Sequence, residues 1–361
     1  MIATIFRRGV LSYFYTGVSV LVVSPVAKRG EAREDGEEVD IYSLADLRGV
    51  GEATKEKLAS IGIYSLLDLA AASPRELVEA GIDAKKAEEL CLQARLLLVS
   101  SGFLDSELMT GKEVLERRKS LERVTTGCLS LDNLLLGGVE TQAVTELVGE
   151  YGCGKTQICH TLCVTVQLPR EKGGLSAGAI YIDTESTFRP ERIYEIAKAR
   201  GLNPDKVLEN VVVSEVYNSS HLQLVVKELG RHLEKYKARL VVVDSIISHF
   251  RADYVGRENL SERQQKLNAT LHRLLRLAEI RNVAVVVTNQ VIGDPGAFYG
   301  NPTKPSGGHV LAHSTTYRVF LRRGPDDTRV AKIMDSPYHP SDLEARFRIS
   351  AKGIEDAEPR R

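Results

Sequence analysis

The run "ELVGEYGCGKTQ" constrains this chain more than any other stretch. Ala143 to Val148 reads as a buried strand, then come Gly149, four residues, Gly154, Lys155 and Thr156, and "KTQICHTLCVTVQL" reads as a helix. Glycines let the backbone curl until several N–H groups converge on one point, and the helix N-terminus adds positive potential there. A strand, such a loop and a helix form a phosphate cradle, so the expected class is α/β, with the loop at the C-terminal edge of a mostly parallel sheet. Gly149, Glu150, Tyr151, Gly152, Cys153, Gly154, Lys155, Thr156 and Gln157 would line the nucleotide. Lys155 would reach the β and γ phosphates, and the Thr156 hydroxyl would ligate Mg²⁺.

The rest of the chain follows the same alternation. Strands are expected at about 143–148, 178–183, 210–216, 239–244, 282–288, 315–322, 328–334 and 345–350. Helix-length segments separate the early strands and imply parallel pairing; the late ones are closely spaced and imply hairpins. Four regions result: residues 1–40, a leader and charged linker; 41–100, short helices broken by glycine; 101–122, a linker; and 123–361, the nucleotide-binding core.

The leader, with two arginines, an apolar run from Val10 to Val23 and then small residues, superficially resembles a secretory signal. The run is short for a membrane span, and an ATP site has little use outside the cell. The expectation is a leader that is disordered or never made, with the true start downstream at a valine codon such as Val26 or Val39; a membrane anchor is the alternative. The chain carries 48 basic and 48 acidic residues, so any nucleic-acid surface must come from local clustering. The five cysteines form no CxxC pair, which points to reduced thiols, no zinc and a cytoplasmic protein.

Within the helical part, "LRGVGEATKEKLASIG" looks like a helix-hairpin-helix. Gly49 and Gly51 would shape a tight turn whose N–H groups suit a DNA phosphate without reading bases. A hairpin used only for protein contacts is the alternative.

Three further strand ends carry polar groups toward the same edge. "RLVVVDS" ends in Asp244, placed to hold the Mg²⁺ shell. "GAIYIDTE" ends in Asp183 and Glu185, of which Glu185 is the candidate base or orienter for an attacking water. "VAVVVTNQ" ends in Gln290, able to sense a γ-phosphate by hydrogen bonding. Lys155, Glu185 and Gln290 are therefore the catalytic candidates, and the expected activity is ATP hydrolysis.

"TTGCLSLDNLLLGGVETQAVTELVGEYGCGKTQ", "YIDTESTFRPERI", "FRADYVGRENLSERQQKLN", "VVVTNQV", "GGHVLAHSTTYRVFLRR" and "KIMDSPYHP" occur in family order and resemble the RecA/RadA family of recombinases, of the archaeal RadA type. The likeness runs from about Leu44 to Ile354. It implies a RecA-like, mostly parallel twisted sheet flanked by helices, with a small all-α helix-hairpin-helix domain before it. It also implies a DNA-dependent ATPase that pairs single-stranded DNA with homologous duplex and exchanges strands as a filament, in recombination and double-strand-break repair. ATP and Mg²⁺ would be its cofactors, and further copies of itself its partners.

By resemblance, two loops meet DNA. The first spans about Arg251 to Arg263, with Arg251, Tyr254, Arg257 and Arg263 as contacts; residues 251–276 hold six basic residues against three acidic ones. The second spans about Val291 to Ala312, where five Gly and three Pro argue for a functional loop. There Phe298 and Tyr299 could meet bases and Lys304 a phosphate, and His313 would couple ATP at the subunit interface to DNA. Lys266, Arg273 and Arg276 read as a solvated helix face. Arg192 would lie against adenine, and Asp335 and Pro337 in "DSPYHP" would form a cap laid over the neighbour's nucleotide.

The chain departs from the family pattern in places. The docking strand, normally Phe-x-x-Ala, reads Leu108, Met109, Thr110, Gly111 here. Less buried apolar area weakens that contact by roughly 1–2 kcal/mol unless the receiving pocket is smaller; Phe103 is an off-register alternative. Ser186 and Leu136 stand where glycines are expected. Cys153, near a helix N-terminus, should have a lowered thiol pKa and be open to oxidation. The weakened docking motif keeps a second reading alive, an accessory paralogue that binds ATP and DNA and modulates a recombinase. A hexameric motor such as a helicase is a third, disfavoured by the absence of a recognisable arginine finger and linker helix.

Overall fold

The computed structural model describes residues 43–105, 108–293, 303–308, 311, 314–340 and 343–357, together with the backbone of three strands in the leader. The chain divides into two compact units, residues 1–119 and 120–361.

In the first unit, β1 (Thr4–Arg7), β2 (Val10–Tyr15) and β3 (Val18–Val23) pair antiparallel in sequence order, where the sequence suggested a leader without structure. Val10 to Val23 is rich in β-branched and aromatic residues, and such residues pair readily as strands. Helices α1 (Glu52–Ala59), α2 (Leu66–Ala71), α3 (Pro74–Glu79) and α4 (Ala84–Ser100) follow. Capping boxes Ser65/Asp68 and Ser73/Glu76 start α2 and α3, and Leu58, Leu66, Leu69, Leu77, Leu90 and Leu98 close a small core. Helix α5 (Gly111–Lys119) buries none of its residues. Thr110 and Glu113 cap it reciprocally, the Thr110 N–H donating to Glu113 Oε2 over 2.6 Å. That box makes Gly111 the first helical residue, so the expected docking strand at Leu108–Gly111 is not formed here: a strand needs a partner strand, and this capping favours a helix.

The second unit is built on a ten-stranded sheet. A short ribbon of β4 (Arg123–Val124) and β5 (Val139–Glu140) flanks α6 (Leu129–Leu134). Then come β6 (Ala143–Gly149), α7 (Lys155–Thr165), β7 (Gly178–Asp183), α8 (Pro190–Ala199), α9 (Pro204–Glu209), β8 (Val211–Glu215), α10 (Ser219–Lys235), β9 (Ala238–Asp244), α11 (Ser248–Asp253), α12 (Leu260–Arg281) and β10 (Ala284–Gly293). The chain ends in β11 (Thr303–Pro305), β12 (Tyr317–Arg323), β13 (Arg329–Asp335), β14 (Glu344–Ser350) and β15 (Gly353–Asp356). The sheet order is β15-β14-β13-β12-β6-β10-β9-β7-β8, with β11 on β10. The run from β12 to β8 is parallel; β12 to β15 form antiparallel hairpins.

This is the α/β architecture expected, with all eight strands in place. β11 and β15 were not anticipated: three and four residues are too few to show a period of two. Strands β6 and β7 are buried throughout and β9 nearly so, because helices cover both faces of the sheet. One core layer packs α7 and α8 against one face, and the other packs α10 and α12 against the opposite face. No helix among the described residues is long and apolar enough to cross a membrane.

Candidate active site

Parallel register brings the polar strand ends together. Gly149 on β6 is the partner of Gln290 on β10, and Asp183 on β7 the partner of Asp244 on β9. The cradle loop leaves β6 at Gly149, where a Cβ would collide with the Leu321 carbonyl and the Cys153 sulfur. It enters α7 through Gly154, whose φ of 102° is a left-handed conformation that suits glycine. Lys155 Nζ folds back into the loop, donating to the carbonyls of Gly149 (2.8 Å) and Glu150 (2.9 Å). Tyr151 stands outside the loop, almost fully exposed.

Asp244 is buried and held by three hydroxyls. Thr156 Oγ1 and Tyr181 OH each donate to Oδ2 over 2.7 Å, and Thr288 Oγ1 donates to Oδ1. Burial, with the Asp244 charge beside it, raises the Tyr181 pKa well above its ordinary value, so its proton stays on as a donor. Glu185 is half-buried, and its Oε1 accepts from Ser245 Oγ (2.7 Å) and Gln290 Nε2 (2.8 Å). Asp183 takes a structural part: its carboxylate accepts the backbone N–H groups of Glu185, Thr187 and Phe188 and so shapes the turn that carries Glu185.

These donors fit a nucleotide and a divalent cation. Among the described residues no three His, Cys, Asp or Glu side chains could hold a metal by themselves. One hydroxyl plus one carboxylate, with phosphate oxygens completing the shell, is the donor set that Mg²⁺ takes. The cradle, with Lys155 already turned inward and Gly149 and Gly154 leaving room for backbone N–H groups, suits a phosphate chain.

The chain has a match over residues 117–357 to a family model described as Rad51, and over residues 41–96 to one described as a SAM-like helix-hairpin-helix tandem. It belongs to the Rad51 family. It is 46% identical over 321 residues to the "DNA repair and recombination protein RadA" of Cenarchaeum symbiosum (strain A), covering 89% of this chain and 80% of that one. Identity to the protein of the same description from Ignicoccus hospitalis is 47% over 321 residues, covering 88% and 96%.

The tandem extends what "LRGVGEATKEKLASIG" suggested. Gly49 (φ 89°) turns before α1, and Gly81 (φ 80°) makes the equivalent turn before α4. Gly51, the N-cap of α1, leaves the helix start without a side-chain cap; Asp83 caps α4 by accepting the Lys86 N–H over 3.1 Å. "EAGIDAKKAEEL" carried the second turn in its Gly81, but an acidic cap there does not look like a phosphate site.

The segment read from sequence as the first DNA loop is shorter than 251–263, because its ends are helical. Arg251 lies in α11, Arg263 in α12, and only Tyr254 to Asn259 is loop. Arg251 and Arg257 are exposed, while Arg263 is half-buried. Lys266, read from sequence as part of a solvated face, sits over the Tyr254 ring at 4.8 Å and donates to its hydroxyl. Phe298, Tyr299 and His313 lie outside the described residues; Lys304 is described in its backbone only, paired with Ile292 between β11 and β10.

Arg192 donates to Gln157 Oε1 over 2.8 Å and to the Ser350 carbonyl, tying α8 to the cradle helix and to β14. Asp335 and Pro337 are exposed at the end of β13 and in the turn after it. Cys153 reverses its expectation. It is fully buried, and desolvation pushes its thiol pKa up despite the nearby Lys155 ammonium, so it is a poor target for oxidation. Leu136 and Ser186 do adopt the conformation a glycine would take, at φ 54° and 55°.

Sequence reading missed the groups that hold the Asp244 and Glu185 carboxylates: Tyr181, Ser245 and Thr288. It also missed a buried pair, in which Arg318 Nε donates to Glu146 Oε2 over 2.6 Å while Asn289 Nδ2 donates to Glu146 Oε1 over 2.7 Å. Single charges of opposite sign inside the apolar runs "AVTELVG" and "YRVFL" were the available signal, but matching them requires the register of β6 against β12.

Proposed function

We propose that this chain is a DNA recombinase, an ATPase that pairs single-stranded DNA with homologous duplex and exchanges strands as a filament in recombination and repair. The observation that carries the reading is the convergence of Lys155, Thr156–Asp244 and Glu185–Gln290 on one sheet edge, in a Rad51-family chain preceded by a helix-hairpin-helix tandem. The relatives' description, DNA repair and recombination, supports the same assignment.

The residues divide the work. Lys155 exchanges its loop carbonyls for phosphate oxygens, and the charge developing on the γ-phosphoryl group is stabilised there. Thr156 and Asp244 would hold Mg²⁺, which supplies charge neutralisation to the phosphates when bound. Glu185 has Oε1 fixed by Ser245 and Gln290, so Oε2 is left to orient and deprotonate the attacking water. Gln290 reports the γ-phosphate to β10, which runs on into the segment read as the second DNA loop.

We further assign Arg251, Tyr254, Arg257, Arg263, Phe298 and Lys304 to the single-stranded DNA and Gly49 and Gly51 to DNA phosphates. Leu108, Gly111 and His313 belong to the contact between copies, while Arg192 lies against the adenine and Asp335 and Pro337 cap the nucleotide of a neighbouring copy. Leu108 is 87% exposed in the single chain, which suits a residue buried only on docking.

The deciding experiment is strand exchange between single-stranded and homologous duplex DNA, with and without ATP and Mg²⁺, beside Lys155→Ala and Glu185→Gln. ATP-dependent exchange lost in Lys155→Ala is expected. DNA-stimulated hydrolysis without exchange at any protein concentration would sink the reading and favour the accessory paralogue.

A further inference from the structure

The turn after β13 is organised around a histidine that the proposed chemistry does not use. Residues 336–340 present Tyr338 to solvent at 77% exposure, while His339 points inward. Ser336 Oγ accepts the backbone N–H groups of Tyr338 (3.2 Å) and His339 (3.0 Å) and lies 2.6 Å from His339 Nδ1. A hydroxyl has one proton and two acceptor sites. With both acceptor sites taken by amides, its proton points at Nδ1, so Nδ1 is bare and the ring is neutral with its proton on Nε2. Nε2 is buried with no hydrogen-bond partner among the described residues. The ring stands edge-on to Tyr317 at 5.4 Å and 90°, with the Tyr338 ring at 6.3 Å. Among the described residues, the charges that face it are Glu140 on β5 and Arg123 on β4, which pair with each other at 2.6 Å.

We propose that neutral His339 is the positioning residue of this turn, and that protonation of Nδ1 dissolves it and withdraws Asp335 and Pro337 from the nucleotide. The inference rests on the reading of Asp335 and Pro337 as nucleotide contacts. The chemistry is a conflict of donors. A proton taken from solvent onto Nδ1 would face the Ser336 hydroxyl, whose acceptor sites are full, so the hydroxyl must rotate and one amide must be released. The imidazolium would also lie in a partly desolvated site where, among the described residues, the two nearby charges offset one another. Burial holds the His339 pKa below the ordinary histidine value, with Glu140 opposing the shift and Arg123 adding to it, so the turn is intact at neutral pH and is released in acid.

The chain contains no tryptophan, so Tyr338→Trp places a single fluorophore on the turn. The expected result is a fall in Trp anisotropy as the pH drops below the ordinary histidine range, with KM for ATP rising about threefold in the parent chain over the same range and kcat at saturating ATP nearly constant. Adding His339→Asn, whose Oδ1 can accept the Ser336 proton but cannot be protonated, should flatten both profiles. His339→Leu keeps the apolar packing without the bond and should show the released signal at every pH. Thermal melts of each variant confirm that it is folded. Anisotropy profiles that are the same with and without His339→Asn would overturn the proposal. An acid transition removed by His339→Asn while KM stays flat would overturn the assignment of Asp335 and Pro337, leaving the histidine as the turn's anchor alone.

Discussion

Gln290 Nε2 donates to Glu185 Oε1 over 2.8 Å, although the two residues leave strands separated by β9. Ser245, just past β9, donates to the same oxygen, so groups from two neighbouring strands hold the carboxylate that follows β7. Replacing Glu185 by Gln keeps the shape and removes the proposed base; kcat for ATP hydrolysis is expected to fall about 10²- to 10⁴-fold with KM for ATP within about twofold. Gln290→Ala should cost less in basal rate and more in the stimulation by single-stranded DNA. Steady-state hydrolysis with and without DNA measures both; a Glu185→Gln rate near the parent would remove that residue from the mechanism.

His160 adds an acid sensitivity unrelated to catalysis. Its ring packs with Tyr181 (5.6 Å) and Phe188 (5.5 Å), neither ring nitrogen has a hydrogen-bond partner among the described residues, and burial pushes its pKa down to about 4. Between the ordinary histidine value and that one, the unfolded chain binds a proton that the folded chain does not. Stability from this group is therefore intact above about pH 6.5, declines by about 1.4 kcal/mol per pH unit as pH falls, and levels off below about pH 4, a loss of about 3 kcal/mol. Urea melts from pH 7 to 4 should show a shallower decline for His160→Phe than for the parent; parallel declines would show that His160 contributes nothing.

Ser186 and Leu136 hold left-handed backbone without being glycine. The conformation costs an L-residue about 1–2 kcal/mol, and glycine returns about 0.5–1 kcal/mol of that through its more disordered unfolded chain. Ser186→Gly and Leu136→Gly should each raise stability by up to about 1 kcal/mol, read as a higher urea midpoint with an unchanged slope. A lower midpoint would mean that the side chains matter more than the backbone strain.

Arg318 and Glu146 are both buried, so removing one strands the other. Arg318→Ala should cost about 3–5 kcal/mol, whereas Arg318→Met combined with Glu146→Gln should recover most of it, because no uncompensated charge is left and Asn289 can still donate to the amide oxygen. A double variant no better than the single one would show that the pair is favourable in itself. Thermal denaturation of the three proteins distinguishes these outcomes.

Much of this protein was readable in one dimension because its determinants are local. The cradle from Gly149 to Thr156 is set by glycine conformations and a following helix, the eight principal strands by runs of apolar residues, and the placing of Asp244, Glu185 and Gln290 on one edge by their positions near strand ends. Those strand ends meet because parallel strands with helical crossovers deliver their C-termini to one edge. What depended on register and burial was not readable. Tyr181, Thr288 and Ser245 became the holders of Asp244 and Glu185 only through the neighbouring of β7, β9 and β10. Desolvation outweighed the helix N-terminus at Cys153, and burial lowered the pKa of His339. Sequence specifies which groups are present and on which element; the tertiary structure decides which of them lose water and which atoms face each other, and those two quantities determine charge state and hydrogen-bond direction.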